Sequence, residues 1–275
     1  MDKAMMLQEH ELHKIAVWLQ KEVGIVLGEQ KLKRFARKIE DVISTHKFES
    51  FTSFYHTLRY KKEQKLAQDL INAITVNETY FWREHEQFLL LTNKILPLID
   101  KLKDSAPIRI LVLPCSSGEE VYSIMMAIIE YSGLIQKRDF EVIGLDIDSS
   151  MVLKAQRGIY SQRSIEKLPE PLLKKYFHAE HGMYHIDPLL RTNATFLQGN
   201  IFDNTMLHRL GQFDIIFSRN MLIYFDTEDK QRAYNALYTL LVDNGYLFLG
   251  HADANGIDKR KFQPLQVASQ IYKKL

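Results

Sequence analysis

Cysteine, glycine and proline are all scarce in this chain of 275 residues. Its one cysteine, Cys115, excludes an intramolecular disulfide and argues against a zinc site built from cysteines. Twelve glycines and seven prolines exclude collagen-like and linker-dominated architectures. Long apolar runs are missing, and the acidic start of the chain does not have the pattern of a signal peptide. We therefore expect a cytoplasmic protein with no segment inserted into a membrane.

An excess of charge of either sign is likewise absent. The 36 basic residues nearly balance the 34 acidic ones, so the formal net charge is only +2. This balance gives no uniformly basic surface, and we expect no nucleic-acid partner. Since 46% of the residues are hydrophobic, the chain can form a packed core, and its length allows one large domain or two modest ones.

The first 75 residues have the composition of helices joined by short turns. No proline precedes Pro97, and Gly24 and Gly28 are the only glycines among the first hundred residues. Apolar residues recur at helical spacing in two stretches, and further helices are predicted over residues 51–58 and 62–74. We predict a small N-terminal helical domain over residues 1–75.

After Pro107, apolar runs of strand length alternate with helical stretches. The runs are residues 108–113, 140–148, 194–200, 213–220 and 245–250. The helical stretches are residues 118–131, 149–158 and 226–242. Strands buried on both faces have continuous apolar sequences, so this order predicts an α/β fold with a parallel sheet in a second domain, residues 76–275. Such sheets bind ligands at the carboxyl ends of their strands.

Residues 159–193 interrupt this alternation. They contain three prolines and no clear helix–strand unit, which predicts an inserted subdomain with a short hairpin around His181 and Gly182. The spacings of His178, His181 and His185 would align on one face of a helix and could then hold a metal. Because Gly182 interrupts any such helix, we expect a surface histidine cluster and no metal site.

The loop after the first predicted strand, LPCSSGEE (residues 113–120), is unusual for a nucleotide site. It lacks the glycine patterns G-x-G-x-x-G and G-x-x-x-x-G-K, which cradle phosphates. It instead has one glycine, Gly118, followed by the carboxylates of Glu119 and Glu120. Such a loop repels phosphate and favours a cationic ligand. The alternative is that both glutamates only stabilise the N-terminus of the following helix.

Polar residues also follow the second and third predicted strands. Asp146 ends the second, where an acid commonly binds ribose hydroxyl groups. Its alternative role is a helix N-cap, although Asp148 or Ser149 could fill that place better. Asn200 follows the third strand, where its amide could contact adenine or could simply form a turn.

The fourth strand ends in Arg219 and Asn220, a polar pair that needs partners if it is buried. Together, the strand ends favour a ligand with an adenine, a ribose and a positive charge but no phosphates. S-adenosylmethionine has this composition, whereas NAD and ATP fit poorly.

Five segments carry a resemblance to a known family. They are NETYFWRE (77–84), PCSSGEEVYSIMM (114–126), GLDIDSSMVLKAQRGIY (144–160), FDIIFSRNMLIYFD (213–226) and GYLFLGHAD (245–253). With these motifs in this order, the chain resembles the CheR-type chemoreceptor glutamate O-methyltransferases. The resemblance implies a class I methyltransferase fold of Rossmann-like type, with an N-terminal helical domain and a small inserted β-subdomain. It also implies methyl transfer from S-adenosylmethionine to receptor glutamates, which gives glutamyl methyl esters and S-adenosylhomocysteine.

The resemblance also assigns residues to the site. Those that would bind the cofactor are Asn77, Thr79, Arg83, Glu119, Asp146, Asn200, Ile201, Asn220 and Met221. Within this set, Glu119 would receive the methionine ammonium and Asp146 would hold the ribose. Arg83 and Tyr224 would border the position of methyl transfer. Arg83 could bind the carboxylate of the substrate or that of the cofactor, and Tyr224 could donate a hydrogen bond or serve as a core aromatic residue.

The expected partners are the cytoplasmic helices of methyl-accepting chemoreceptors. A run of cations without any acid would steer their glutamates, although a solvated charged face is the simpler alternative. These cations are Lys31, Lys33, Arg34, Arg37 and Lys38. In some family members, the inserted subdomain docks on a C-terminal peptide of the receptor.

The sequence departs from the family pattern at three places. We expect these changes to affect receptor specificity more than cofactor binding. Ser117 stands where threonine is usual, Val121 where proline is usual, and residues 250–253 are GHAD instead of GHSE. Two other functions therefore stay open at this point. One is a signalling module that binds S-adenosylmethionine or another nucleotide without methylating a receptor, and the other is methylation of a carboxylate outside receptors.

Overall fold

Four helices form the N-terminal part of the chain that the structure describes. The computed structural model describes residues 6–265 and 268–275. The helices are α1 (Glu9–Val23), α2 (Glu29–Thr45), α3 (Phe51–His56), which continues in a π-helical turn (Thr57–Lys61), and α4 (Gln64–Ile74). Gly24 ends α1 with a φ of 74°, a left-handed conformation that favours glycine. Side chains such as Ile15, Leu19 and Ile39 are fully buried between these helices, so the predicted helical bundle is present.

A long helical stretch that the sequence analysis did not predict follows the bundle. It comprises α5 (Glu86–Leu90), a π-helical turn (Leu91–Ile95) and α6 (Leu96–Leu102). Pro97 lies in the first turn of α6, directly after the π-helical turn, so the helical hydrogen-bond pattern changes next to a residue that has no N–H.

Among the described residues, the main sheet has seven strands in the order β6-β2-β1-β7-β8-β10-β9. The strands are β1 (Ile108–Val112), β2 (Phe140–Asp146), β6 (Ala194–Gln198), β7 (Phe213–Ser218), β8 (Leu241–Leu249), β9 (Phe262–Leu265) and β10 (Ala268–Lys274). The five strands from β6 to β8 are parallel, and β10 is antiparallel to both of its neighbours. The five predicted strands are confirmed, whereas β9 and β10 were missed because they are polar and β9, at the sheet edge, contains Pro264.

Helices cover both faces of this sheet, as an α/β fold requires. They include α7 (Glu119–Tyr131), α8 (Ser149–Arg157), α12 (Asn204–Leu210) and α13 (Thr227–Leu240). A hydrophobic core lies on each face of the sheet. Alternate residues of β1 point into different cores, since Ile110 and Val112 belong to one and Leu111 belongs to the other. The predicted fold class is therefore confirmed.

The inserted segment forms a small antiparallel sheet in the order β3-β5-β4. Its elements are β3 (Ile159–Tyr160), α9 (Gln162–Ile165), α10 (Glu170–Tyr176), β4 (Phe177–Glu180), β5 (Met183–Ile186) and α11 (Pro188–Asn193). The predicted hairpin is present, and His181 and Gly182 form its turn. His178 lies opposite His185 on the paired strands. Across residues 6–265 and 268–275, no group of three or more histidine, cysteine or acidic side chains is arranged to hold a metal ion.

The helical bundle is attached to the carboxyl ends of the sheet strands. The Val26 N–H donates to the Tyr224 carbonyl at 2.8 Å, and the Asn200 amide donates to the Glu22 carbonyl at 3.0 Å. The amide of Gln20 donates to the carboxylate of Asp226 at 2.7 Å. These contacts cover the sheet edge where ligands are expected. None of the described helices is long and apolar enough to cross a membrane.

Candidate active site

A cavity lies where the helical bundle meets the carboxyl ends of the parallel strands. Residues from the end of α1, the start of α2, the segment after α4 and four strand ends line it together. Of the site residues predicted from the sequence, those that line the cavity are Lys31, Asn77, Thr79, Arg83, Asp146, Asn200, Ile201, Asn220, Met221 and Tyr224. Widely separated motifs of the sequence thus meet in one place.

The loop between β1 and α7 forms the floor of this cavity. Gly118 has a φ of 93°, and a Cβ atom there would lie 2.9 Å from the Cβ of Ala155, so only glycine fits. The Ser116 N–H points to Asp146 and donates to its carboxylate at 2.7 Å. The loop therefore brings the ends of β1 and β2 together without phosphate-binding geometry.

Asp146 is a buried carboxylate at the end of β2, with 3% of its surface exposed. It accepts hydrogen bonds from the N–H groups of Ser116 and Asp148, at 2.7 and 2.9 Å. Burial raises the pKa of Asp146 to about 6, although these N–H groups act in the opposite direction. Asp148, and not Asp146, caps α8 by accepting from the N–H groups of Ser150 and Met151. The alternative role of N-cap therefore belongs to Asp148.

The two glutamates of the loop have different surroundings. Glu119 is 2% exposed, does not line the cavity and accepts a hydrogen bond from the Ser117 hydroxyl at 2.8 Å. Burial raises the pKa of Glu119. Glu120 lines the cavity, and its Oε2 atom accepts two hydrogen bonds from Arg219. The buried Glu120 Oε1 and Ser116 Oγ atoms have no hydrogen-bond partner within the described residues.

The segment after α4 contributes Asn77, Thr79 and Arg83 to the lining. The Asn77 amide donates to the carboxylate of Asp148 at 2.7 Å, which connects this segment to β2. The Arg83 guanidinium donates to the Glu78 carbonyl at 3.1 Å and is half-buried. Its remaining donors stay available to a ligand in the cavity.

Asn200 and Ile201 lie at the end of β6. The side-chain oxygen of Asn200 accepts from the Phe202 N–H at 2.9 Å, which is the turn geometry considered as an alternative. Asn200 nevertheless lines the cavity beside Ile201, which is 4% exposed. A turn role and a ligand contact are therefore compatible at this position.

The residues after β7 form the opposite side. Asn220 has a φ of 61°, and its N–H donates to the carboxylate of Asp253. A 3-10 turn (Leu222–Tyr224) follows Met221 and brings the Tyr224 ring to the cavity. Burial raises the pKa of Tyr224, so its hydroxyl remains a hydrogen-bond donor at neutral pH.

The basic run of α2 is exposed, but only Lys31 lines the cavity. The Lys31 ammonium lies 5.1 Å from the centre of the Tyr224 ring. Lys33 forms an ion pair with Glu9 at 3.4 Å. The other cations of the run, Arg34, Arg37 and Lys38, are exposed on the helix.

Some cavity residues were absent from the predicted site. Apolar side chains of the α1–α2 connection, Val23, Ile25 and Leu27, line the cavity, and no local motif indicates this contact. Arg219 also lines it and is 4% exposed. Its signal was the polar pair at the end of an apolar strand, which requires partners when buried.

Comparisons with known proteins identify the family. The family model described as CheR methyltransferase, SAM binding domain, matches residues 77–271, and the one described as CheR methyltransferase, all-alpha domain, matches residues 10–75. The chemotaxis protein methyltransferase 2 of Vibrio cholerae is 39% identical over 223 residues, which are 81% of this chain and 76% of the relative.

Two further relatives are similar over most of the chain. A chemotaxis protein methyltransferase of Campylobacter jejuni is 34% identical over 254 residues, or 92% of each protein. A probable biofilm formation methyltransferase, WspC, of Pseudomonas putida is 34% identical over 214 residues, which are 78% of this chain and 50% of the relative.

The cofactor of this methyltransferase is S-adenosylmethionine, and the cavity fits it. Carboxylates at Asp146 and Glu120 suit a cationic ligand with a ribose, and the unpartnered Glu120 Oε1 atom requires a donor. Apolar side chains such as Ile201 and Met221 suit an adenine. Given the two family models, which together cover residues 10–75 and 77–271, the chain belongs to the CheR methyltransferase family.

Proposed function

We propose that this protein methylates glutamate side chains of chemoreceptors and so forms glutamyl methyl esters in chemotaxis adaptation. The observation that carries the proposal is that carboxylates and cationic side chains line the same cavity. Carboxylates lie in the first turn of α7 and at the end of β2, while Lys31 and Arg83 approach from the helical side. A cationic cofactor and an anionic acceptor can therefore bind side by side. The names of the Vibrio and Campylobacter relatives support the same role.

The reaction needs little acid–base chemistry from the protein. A glutamate carboxylate has an ordinary pKa of about 4.3, so it is already ionised at neutral pH and needs no general base. Bound S-adenosylmethionine supplies an electrophilic methyl group on a sulfonium. In methyl transfer, a carboxylate oxygen would form the new bond to carbon while the carbon–sulfur bond breaks. The electron pair would stay on sulfur, and no proton would move. The protein therefore acts by alignment, charge neutralisation and exclusion of water.

The proposed cofactor contacts divide among the strand ends. Asp146 accepts hydrogen bonds from the ribose hydroxyl groups, while Asn200, Ile201, Asn220 and Met221 flank the adenine and the methionine part. Asn77 and Thr79 complete this side from the segment after α4. The family motif assigns the methionine ammonium to Glu119. The position of Glu120 in the lining and its unpartnered oxygen support a direct contact there, with Glu119 behind the loop.

The acceptor carboxylate is proposed to bind Arg83 and Tyr224. A guanidinium can grip a carboxylate with two parallel hydrogen bonds, and the protonated Tyr224 hydroxyl can donate a third. Both groups line the same cavity, and the charge of Arg83 acts on Tyr224 from nearby. The binding of the cofactor carboxylate by Arg83 is the alternative assignment, which kinetic constants separate.

The proposed partners are the cytoplasmic methylation helices of chemoreceptors, and the proposed location of this protein is therefore the cytoplasm. The exposed cations of α2 would attract glutamate-rich helices towards the cavity. In the inserted sheet, β4 is an edge strand, since within the described residues it pairs only with β5. A C-terminal receptor peptide could add to such an edge as a further strand.

The relative named for biofilm formation favours a second candidate function, namely methylation of a carboxylate in a protein outside chemotaxis. One assay separates the candidates. The protein is incubated with methyl-labelled S-adenosylmethionine and receptor-containing membranes, and label released as volatile methanol by alkali is counted. Alkali-volatile label on receptors supports the proposal, and its transfer only to other proteins supports the second candidate. Cofactor binding without such label, across several receptors and other acceptors, would refute both.

A further inference from the structure

The turn that carries Arg83 has a constrained backbone. Trp82 and Glu84, on either side of Arg83, have φ values of 67° and 52°. Left-handed conformations are uncommon for residues with a side chain and persist only where the surroundings hold them. The Trp82 N–H donates to the Ser123 hydroxyl of α7 at 3.1 Å, which fixes one end of the turn. The other end needs a separate anchor.

Arg219 provides that anchor from the end of β7. Its side chain is 1% exposed, and its Nη2 atom donates to the carbonyl of Arg83 at 3.0 Å. The same guanidinium donates to the Glu120 carboxylate through Nε at 2.9 Å and Nη2 at 2.8 Å. Its Nη1 atom lies 3.5 Å from an oxygen of Glu84. One buried cation thus connects the Arg83 turn to the first turn of α7.

The charges of this cluster do not balance. Two carboxylates, Glu84 and Glu120, share one guanidinium, and Glu120 Oε1 has no partner within the described part of the chain. His251 also lies nearby, with its Nδ1 atom 3.6 Å from Glu84, but its side chain is 73% exposed. The surplus negative charge borders the cavity, where a cationic ligand would compensate for it.

We propose that Arg219 is a positioning residue, which holds Arg83 beside the loop between β1 and α7. It does so through its contacts with the Arg83 carbonyl, Glu84 and Glu120. The inference rests on the proposed function, because it assumes that Arg83 aligns the acceptor carboxylate. The planar, forked guanidinium of Arg219 is essential for this role. A lysine carries its charge on a single nitrogen and cannot bridge a carbonyl and a carboxylate in the same way. Arg219 thereby acts through Arg83 without itself touching the acceptor.

A double-mutant cycle tests this dependence. Arg219→Lys is made in the wild-type chain and in Arg83→Ala, and kcat for alkali-volatile methylation is measured at saturating cofactor. We expect Arg219→Lys to lower kcat about tenfold to a hundredfold in the wild-type chain, since small misplacements of an aligning group have large effects. In Arg83→Ala the same substitution should change kcat less than about twofold. An equal loss in both backgrounds would mean that Arg219 does not act through Arg83.

A second readout needs no acceptor. Trp18→Phe leaves Trp82 as the one tryptophan, and its emission then reports on the Arg83 turn. Trp82 is 8% exposed, so loosening of the turn by Arg219→Lys should shift its emission to longer wavelength. Unchanged emission would contradict the proposal. If the wild-type chain methylates no acceptor but the emission shifts, the proposed function fails while the anchoring of the turn stands.

Two further variants control for folding. Arg138→Lys alters another mostly buried arginine, which donates to the carbonyls of Asp100 and Lys103 away from the cavity, and it should leave kcat and the emission of Trp82 unchanged. Glu84→Gln keeps the bond between Arg219 and Glu120 but weakens the anchor of the turn. If Arg219→Lys does not fold, Glu84→Gln must show the same dependence on Arg83, or the proposal is wrong.

Discussion

The two walls of the cavity differ in whether their polar side chains already have hydrogen-bond or ion-pair partners in the protein. On the strand wall, formed by the ends of β1, β2, β6 and β7, Asp146 and Asn200 already accept backbone hydrogen bonds. On the helical wall, formed by α2 and the segment after α4, Lys31 and Arg83 form no ion pair with any described residue. Lys31 only approaches the ring of Tyr224, and Arg83 donates to a carbonyl.

This difference indicates that the two walls bind different ligands. Groups that are held by the backbone are pre-organised, so the strand wall suits a ligand that binds in every turnover in the same way. Cations without a carboxylate partner leave their charge for a ligand to neutralise, which suits an acceptor that arrives from another protein. Substitutions of Lys31 and Arg83 on the helical wall should therefore affect the acceptor, and those of Asp146 and Asn200 on the strand wall should affect the cofactor.

The largest effect is expected for Arg83→Ala. It should lower kcat about a hundredfold to a thousandfold, as the loss of a group that stabilises charge in the transition state does elsewhere. The measurement is the initial rate of alkali-volatile methylation, together with the Kd of S-adenosylmethionine. Arg163→Ala is a matched control, because Arg163 is an exposed arginine that pairs with Glu78 but does not line the cavity. A normal kcat with weaker cofactor binding would instead place Arg83 on the cofactor carboxylate.

A smaller, pH-dependent effect is expected on the strand wall. Because burial raises the pKa of Asp146 to about 6, this carboxyl is ionised above that pH and neutral below it. An ionised carboxylate binds ribose hydroxyl groups more strongly, so cofactor affinity should fall as the pH decreases through about 6, by about tenfold or more. Calorimetric titration with S-adenosylmethionine between about pH 5 and pH 8 measures this.

The matched variants isolate the titrating group. Asp146→Asn should bind the cofactor weakly at every pH and show a flat profile. Asp203→Asn should keep the wild-type profile, because Asp203 caps α12 outside the cavity and asparagine is also a good cap. If Asp146→Asn retains the fall in affinity at low pH, the titrating group is a different one.

The smallest effect is expected for steering by α2. Charge reversal at Arg34 and Arg37 should raise the KM for receptor membranes about threefold to tenfold at low salt, and added salt should reduce the difference. The Kd of the cofactor should not change. Reversal of Lys101 and Lys137, two exposed lysines away from the cavity, is the control. An equal rise in KM for the control would show that only net charge matters.

The sequence predicts the strand wall better than the helical wall. Parallel strands end at one edge, so Asp146, Asn200 and Asn220 could be placed together from their positions after apolar runs. No such rule fixes which face of a helix meets a neighbouring domain. The five cations of α2 therefore looked equivalent, although only Lys31 lines the cavity.

The same limit applies to the first turn of α7. Adjacent helical residues point about 100° apart, and the sequence does not give the rotation of a helix about its axis. The residues alone could not separate Glu119 from Glu120 for this reason. The resemblance assigned the ammonium to Glu119, whereas the structure places only Glu120 in the lining. The contact of Arg219 with the Arg83 carbonyl joins residues 136 positions apart, which no local pattern can indicate.

The one cysteine of the chain provides a probe of how the site opens. Cys115 belongs to the loop that forms the cavity floor and is 1% exposed. Its N–H donates to the Leu145 carbonyl at 2.9 Å, and its thiol lies 3.6 Å from the Ser116 carbonyl oxygen. Burial raises the pKa of this thiol well above its usual value, which suppresses the reactive thiolate. Labelling by a thiol reagent therefore requires the loop to move. In this chain the labelling rate measures loop opening at a single position without any substitution, and a bound cofactor should lengthen the labelling time.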